Sequence, residues 1–150
     1  MANQNFDAES FLNQTVDAPL ADEPVLVPPG EYEAVIDRVG ARQPRDNDAG
    51  INVSILWEIT DDALRAELDR PKIIVPQFMF VELDENGKIA AGSGDKNWRL
   101  GQVKKAVGQD GNGPWNIKNL EGAGPATVRV VHNTYNNNTS AQVDRVAALK

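Results

Sequence analysis

INVSILWEIT, residues 51–60, is the stretch on which the reading of this chain turns. Ile51, Val53, Ile55, Trp57 and Ile59 fall on one side of an extended chain. Asn52, Ser54, Glu58 and Thr60 fall on the other, with Leu56 as the exception. Successive side chains of a strand point to opposite faces, so apolar residues at every second position mark a strand with one face in a core. Trp57 shares the apolar stripe and is expected inside the core.

Working outward, Gln43–Gly50 is dense in turn formers and reads as an exposed loop. Glu31–Val39 alternates more loosely and predicts a strand running to about Arg42. On the other side, Asp61–Arg70 reads as a helical turn or structured connection, limited by Pro71. Lys72–Leu83 predicts a third strand. Pro76 within it points to an edge or a bulge, because proline has no N–H for a ladder. Asp84–Gly87 reads as a hairpin turn with a short return strand near Lys88–Ala90. Asp95–Val107 is the helix candidate, with Trp98, Val103, Ala106 and Val107 on one face, Asp95 or Asn97 as its cap and Gly108 as its stop. After a Gly-rich connector with a helical turn at Asn116–Leu120, Ala126–Asn133 and Ser140–Leu149 read as strands on either side of a turn at Tyr135–Thr139.

Three strands, a helix and two strands is the order of the OB-fold. The expectation is an all-β domain with one short helix: a five-stranded Greek-key barrel with the helix between strands 3 and 4. That domain takes residues 28–150. Residues 1–27 read as a flexible arm, since the stretch approaching residue 30 holds Pro19, Pro24, Pro28 and Pro29. Phe6, Phe11 and Leu12 stand among polar residues there and could anchor the arm on another copy or a partner.

The net charge is −7, which at first argues against a nucleic-acid ligand. Asp7, Glu9, Asp17, Asp22 and Glu23 lie in residues 1–30 without a single Lys or Arg, which leaves 17 acids against 15 bases in the remainder. A nearly neutral body can carry a basic stripe on one face. The absence of cysteine excludes disulfides and thiolate metal sites and fits a reducing compartment. No apolar run of about 18 residues predicts a membrane span, and the N-terminus lacks the pattern of a signal peptide.

Nothing in the chain suggests catalysis. The one histidine, His132, lies in a strand pattern without HExxH context, and no GxGxxG, P-loop or GxSxG pattern occurs. The reading is therefore a non-enzyme with no cofactor and no metal. A single-strand binder needs cations for phosphates and flat rings for bases. Arg38, Arg42 and Arg45 run from the first strand into the first loop, Lys72 opens the third strand, Lys88 follows its hairpin, and Arg129 and Arg145 lie on the closing strands. Phe78 and Phe80 share one face of the third strand. They point outward if Met79 and Val81 fill the interior and inward otherwise, and alternation alone does not choose. Tyr135 stands at a turn with no core duty. Trp98 is expected to anchor the helix, and Trp115 is open to either use.

Several segments together resemble a family of phage-encoded single-stranded DNA-binding proteins. These are the acidic leader FDAESFLNQTVDAPL (6–20), VPPGEYEAVIDRV (27–39), NVSILWEI (52–59), WRLGQVKKAVG (98–108) and TVRVVHNTYNNNTSAQVDRV (127–146). The resemblance covers nearly the whole chain and implies an OB-fold binder of single-stranded DNA in phage replication or recombination, in the cytoplasm of a bacterial host. It also implies that basic and aromatic positions on strands 2 to 5 line the groove. Single-stranded DNA and phage replication or recombination proteins are the partners it suggests, beside the self-association through the arm read from Phe6, Phe11 and Leu12. The chain departs from bacterial single-stranded DNA-binding proteins in ending Val146-Ala-Ala-Leu-Lys150 without an acidic tip. The alternative is an OB-like protein-interaction or accessory module that binds no DNA.

Overall fold

The computed structural model describes residues 6–20, 25–44, 50–91, 96–111 and 113–149. It is mostly β, with five antiparallel strands in one open sheet and three helices. The strands are β1 (Gly30–Arg42), β2 (Gly50–Ile59), β3 (Ile73–Glu82), β4 (Ala126–Tyr135) and β5 (Asn138–Ala148), in the spatial order β3-β2-β1-β4-β5. Helix α1 (Ala8–Leu12) lies in the leader, α2 (Asp62–Leu68) joins β2 to β3, and α3 (Trp98–Ala106) lies between β3 and β4, followed by a 3-10 turn at Ile117–Leu120.

One short helix was expected, so α1 and α2 correct that count. In α2, Asp61 accepts a hydrogen bond from the Leu64 N–H at 3.1 Å and caps the start. Asp69 ends the helix in the left-handed region at φ 55°. In α1, Asp7 plays the same capping part for Glu9.

β1 is shared between the two halves of the sheet. Its first residues, Gly30–Ala34, pair with β4, and Ala34–Arg42 pair with β2. The two registers overlap at Ala34, and a bulge follows between Ile36 and Arg38. The connector before β4 satisfies that bulge. The Ile36 N–H donates to the Ala123 carbonyl at 2.9 Å, the Gly122 N–H donates to the Ile36 carbonyl at 2.8 Å, and the Glu121 carboxylate accepts from the Val39 N–H. A strand that changes partners midway curls its sheet, and the far edges, β3 and β5, approach each other. Pro76 lies on the β3 edge, as its missing N–H requires.

Inside the curl, Val53, Ile55, Trp57 and Ile59 of β2 meet Ile73, Val75, Met79 and Val81 of β3, Ala34 and Ile36 of β1, and Val128, Val130, Val143 and Val146 of β4 and β5. The β2 alternation is therefore realised as read. Buried Gln77 is the polar exception, and its side-chain oxygen accepts the Trp57 indole N–H at 2.9 Å. Val27, expected in the arm, is also in the core.

The approach between β3 and β5 is covered at both ends. At one end α3 packs on both strands, with Leu100, Val103 and Ala106 buried. The Gln102 side-chain oxygen accepts from the Val146 N–H at 3.3 Å. At the other, Val25–Val27 lie with Ile74 and Pro76 of β3 and Thr139–Ala141 of β5. His132 is exposed on β4, and its Nε2 lies 2.8 Å from the Val27 carbonyl.

Candidate nucleic-acid interface

The outer face of β1, β2 and β3 can be read row by row from the register, because directly opposed residues share a face. One row holds Arg38, Leu56 and Pro76; the next Gly40, Ser54 and Phe78; the third Arg42, Asn52 and Phe80. Cations thus line the β1 side and phenyl rings line the β3 side, with small or polar residues between. Gly40 keeps the middle row low, since a Cβ there would stand 3.1 Å from the Ser54 hydroxyl. Gly40, Arg42, Asn52, Ser54 and Phe78 are among the walls of a shallow recess of about 310 Å³.

Phe78 is 58 % exposed and Phe80 39 % exposed, while Met79 and Val81 point inward. This chooses between the two faces that alternation left open. Phe80 lies against the backbone of Gly50 at the start of β2, where any side chain would collide with its ring. Gly50 is therefore what lets the ring lie down at that end of the sheet. Arg42 has no acidic partner among the described residues. The guanidinium of Arg38 lies 3.9 Å from Asp37, which Lys72 holds more closely at 3.0 Å.

The aromatic row continues onto α3. Trp98 is 55 % exposed, with the Arg99 guanidinium 4.9 Å over its ring, and both border a hollow with Phe80 and Asn97. Trp98 was expected to pack as an anchor; instead Leu100, Val103 and Ala106 make the buried face of the helix. Asp95, one of the two expected caps, lies outside the described residues. Asn97 precedes the helix in the left-handed region at φ 58° and makes no side-chain cap bond. Its amide instead ties the helix start to the strand region. It accepts from the Glu82 N–H at 2.8 Å and donates to the carbonyls of Glu82 and Ala90 at 3.1 and 2.9 Å. That brace sets Trp98 beside Phe80.

The remaining expected residues are placed elsewhere. Arg45 lies outside the described residues. Lys88 sits on the exposed turn after β3, where its backbone N–H donates to Asp84. Arg129 and Arg145 oppose each other on the outer face of β4 and β5. Arg129 is held by both carboxylate oxygens of Asp144, at 2.8 and 2.6 Å. That bond holds the Asp144 carboxyl below the usual carboxylate range and raises Arg129 further. Tyr135 is 74 % exposed at the tip of the β4–β5 hairpin, whose Thr139–Ala141 border the Ile74 end of the outer face.

Four expected residues are therefore brought together, Arg38, Arg42, Phe78 and Phe80. The sequence reading missed Trp98 and Arg99 as their neighbours. The signal was the pair itself at the start of a helix, where an aromatic beside a cation is as suited to a ligand as to a core. The face offers cations spaced along one strand and flat apolar rings along another. That arrangement suits a flexible polyanion carrying planar groups. No protein-family model matches the chain, and no curated protein is significantly similar to it in sequence.

Proposed function

We propose that this chain is an OB-fold protein that binds single-stranded DNA largely without regard to sequence. It would use Arg38, Arg42 and Arg99 for phosphates and Phe78, Phe80 and Trp98 for bases. The observation that carries this is the solvent-facing alignment of Phe78 and Phe80 across β2 from Arg38 and Arg42. Apolar rings left in water across from exposed cations, of which Arg42 has no acidic partner among the described residues, mark a surface suited to a ligand. The strand order, the partner change along β1 and the approach of β3 to β5 support the OB reading, whose ligand face is that of strands 2 and 3. The resemblance to phage single-stranded DNA-binding proteins supports reading the activity as part of phage replication or recombination, within the host cytoplasm and without a catalytic step.

A second reading, a protein-interaction module, draws on the exposed Phe6, Phe11 and Leu12 of the leader. One titration separates the two. Labelled oligo-dT and a duplex of equal length are titrated at low and moderate salt. Tight single-strand binding that weakens steeply with salt supports the first reading. No binding to either at low salt refutes it.

A further inference from the structure

We infer that the recess beside α3 receives one nucleotide of the strand whose neighbours lie on the β1–β2–β3 face. The inference rests on the single-strand reading above. The recess measures about 380 Å³, and Leu100, Gly101, Lys96, Lys104 and Trp115 are among its walls.

Gly101 is the first argument. It lies inside α3, where glycine is less favourable than alanine because it loses more backbone freedom on folding. No packing constraint requires it: its φ is not positive, and a Cβ there would meet nothing within 4 Å among the described residues. The effect of the missing side chain is an open wall.

Trp115 is the second argument. It is half-buried, and its indole N–H donates to Gln109 at 2.8 Å, while the Gln109 amide donates to the Asn119 carbonyl at 2.9 Å. The ring plane is therefore fixed. The Lys104 ammonium lies 5.1 Å over it, so the wall is both flat and positive. A planar group joined to an anion matches this wall, and a nucleotide has both parts.

Continuity supplies the third argument. Asn97 borders this recess and also the hollow shared by Phe80, Trp98 and Arg99. A strand crossing Phe78, Phe80 and Trp98 reaches the recess without leaving the aromatic path. A free nucleotide carries the same chemistry, and the test separates the two sources.

The full chain and its G101L variant are compared by thermal melting, by anisotropy titration of labelled dT12 at low salt, and by competition with dTMP. The leucine side chain fills the recess on a helix surface that has room for it. The expected result is a G101L melting temperature at or above that of the parent, dT12 affinity reduced about tenfold, and no displacement by dTMP. If G101L melts lower, K104Q decides in its place, with a weakening of about threefold expected. A folded variant that binds dT12 like the parent overturns the inference and leaves the single-strand reading standing. Binding of dTMP that G101L abolishes while dT12 is unaffected overturns it in favour of a free nucleotide. If the parent binds no dT12, both readings fail.

Discussion

Phe78 and Phe80 are rings left in water, and Gln77 between β3's outward residues is an amide kept from it. Each inversion has its own consequence. F78A and F80A should each weaken oligo-dT binding by about 1–3 kcal/mol, the worth of one stacked base, with little change in melting temperature. Anisotropy titration and thermal melting on the same samples check both parts. Q77L should behave in the opposite way. It leaves the Trp57 indole N–H without its acceptor in the core, costing about 1–3 kcal/mol of stability read by denaturant unfolding, while dT affinity holds. Neither inversion was legible in the sequence. Both sides of β3 read apolar, with Ile74, Phe78 and Phe80 outside against Ile73, Val75, Met79 and Val81 inside. Gln77 sits on the buried side because Trp57 of a different strand supplies its partner.

Two elements are fixed by side chains whose roles can be tested. α3 takes its place from Asn97. N97G keeps the left-handed backbone accessible but loses three hydrogen bonds, each worth about 1 kcal/mol. It should lower the melting temperature and also weaken dT binding, because Trp98 is no longer held beside Phe80. In the β4–β5 hairpin, Arg129 and Asp144 form a cross-strand clip. The Asp144 carboxyl is held low, chiefly by its hydrogen bond with Arg129. Its contribution to stability is therefore present at neutral pH and is lost as pH falls through the lowered value. D144N should melt slightly below the parent at pH 7, and only slightly because the pair is exposed to solvent. The difference should close on acidification, as melting curves from pH 7 to pH 2 will show. The strands themselves were legible, since period-2 alternation is a local signal. The α3 face was legible in part: Val103, Ala106 and Val107 face the core as read, whereas Leu100 and not Trp98 completes that face, because polar residues and Gly101 leave few apolar positions to fix the helix's rotation.

At the scale of the whole molecule, the leader and the sheet differ in burial. No described residue before Leu20 is buried, whereas Val27 is in the core. Deleting residues 1–20 should leave the melting transition of the sheet where it is, a point that calorimetry settles. The succession of strands and helices was legible because it runs along the chain. The change of partner along β1 was not, since β4 lies far away in sequence and nothing local to β1 marks the residue at which one neighbour replaces another.

That shared strand has a consequence for the order of assembly during synthesis. β1, β2 and β3 are contiguous hairpins and leave the ribosome first, carrying the whole face of Arg38, Arg42, Phe78 and Phe80. Their other side, with Trp57, Ile55 and Val53, has no cover until β4 pairs with Gly30–Ala34 and β5 follows. Closing that long loop is slow compared with zipping a hairpin. The nascent chain therefore passes through a stage with the strand face of Arg38, Arg42, Phe78 and Phe80 formed, α3 not yet added to it, and its apolar interior still open.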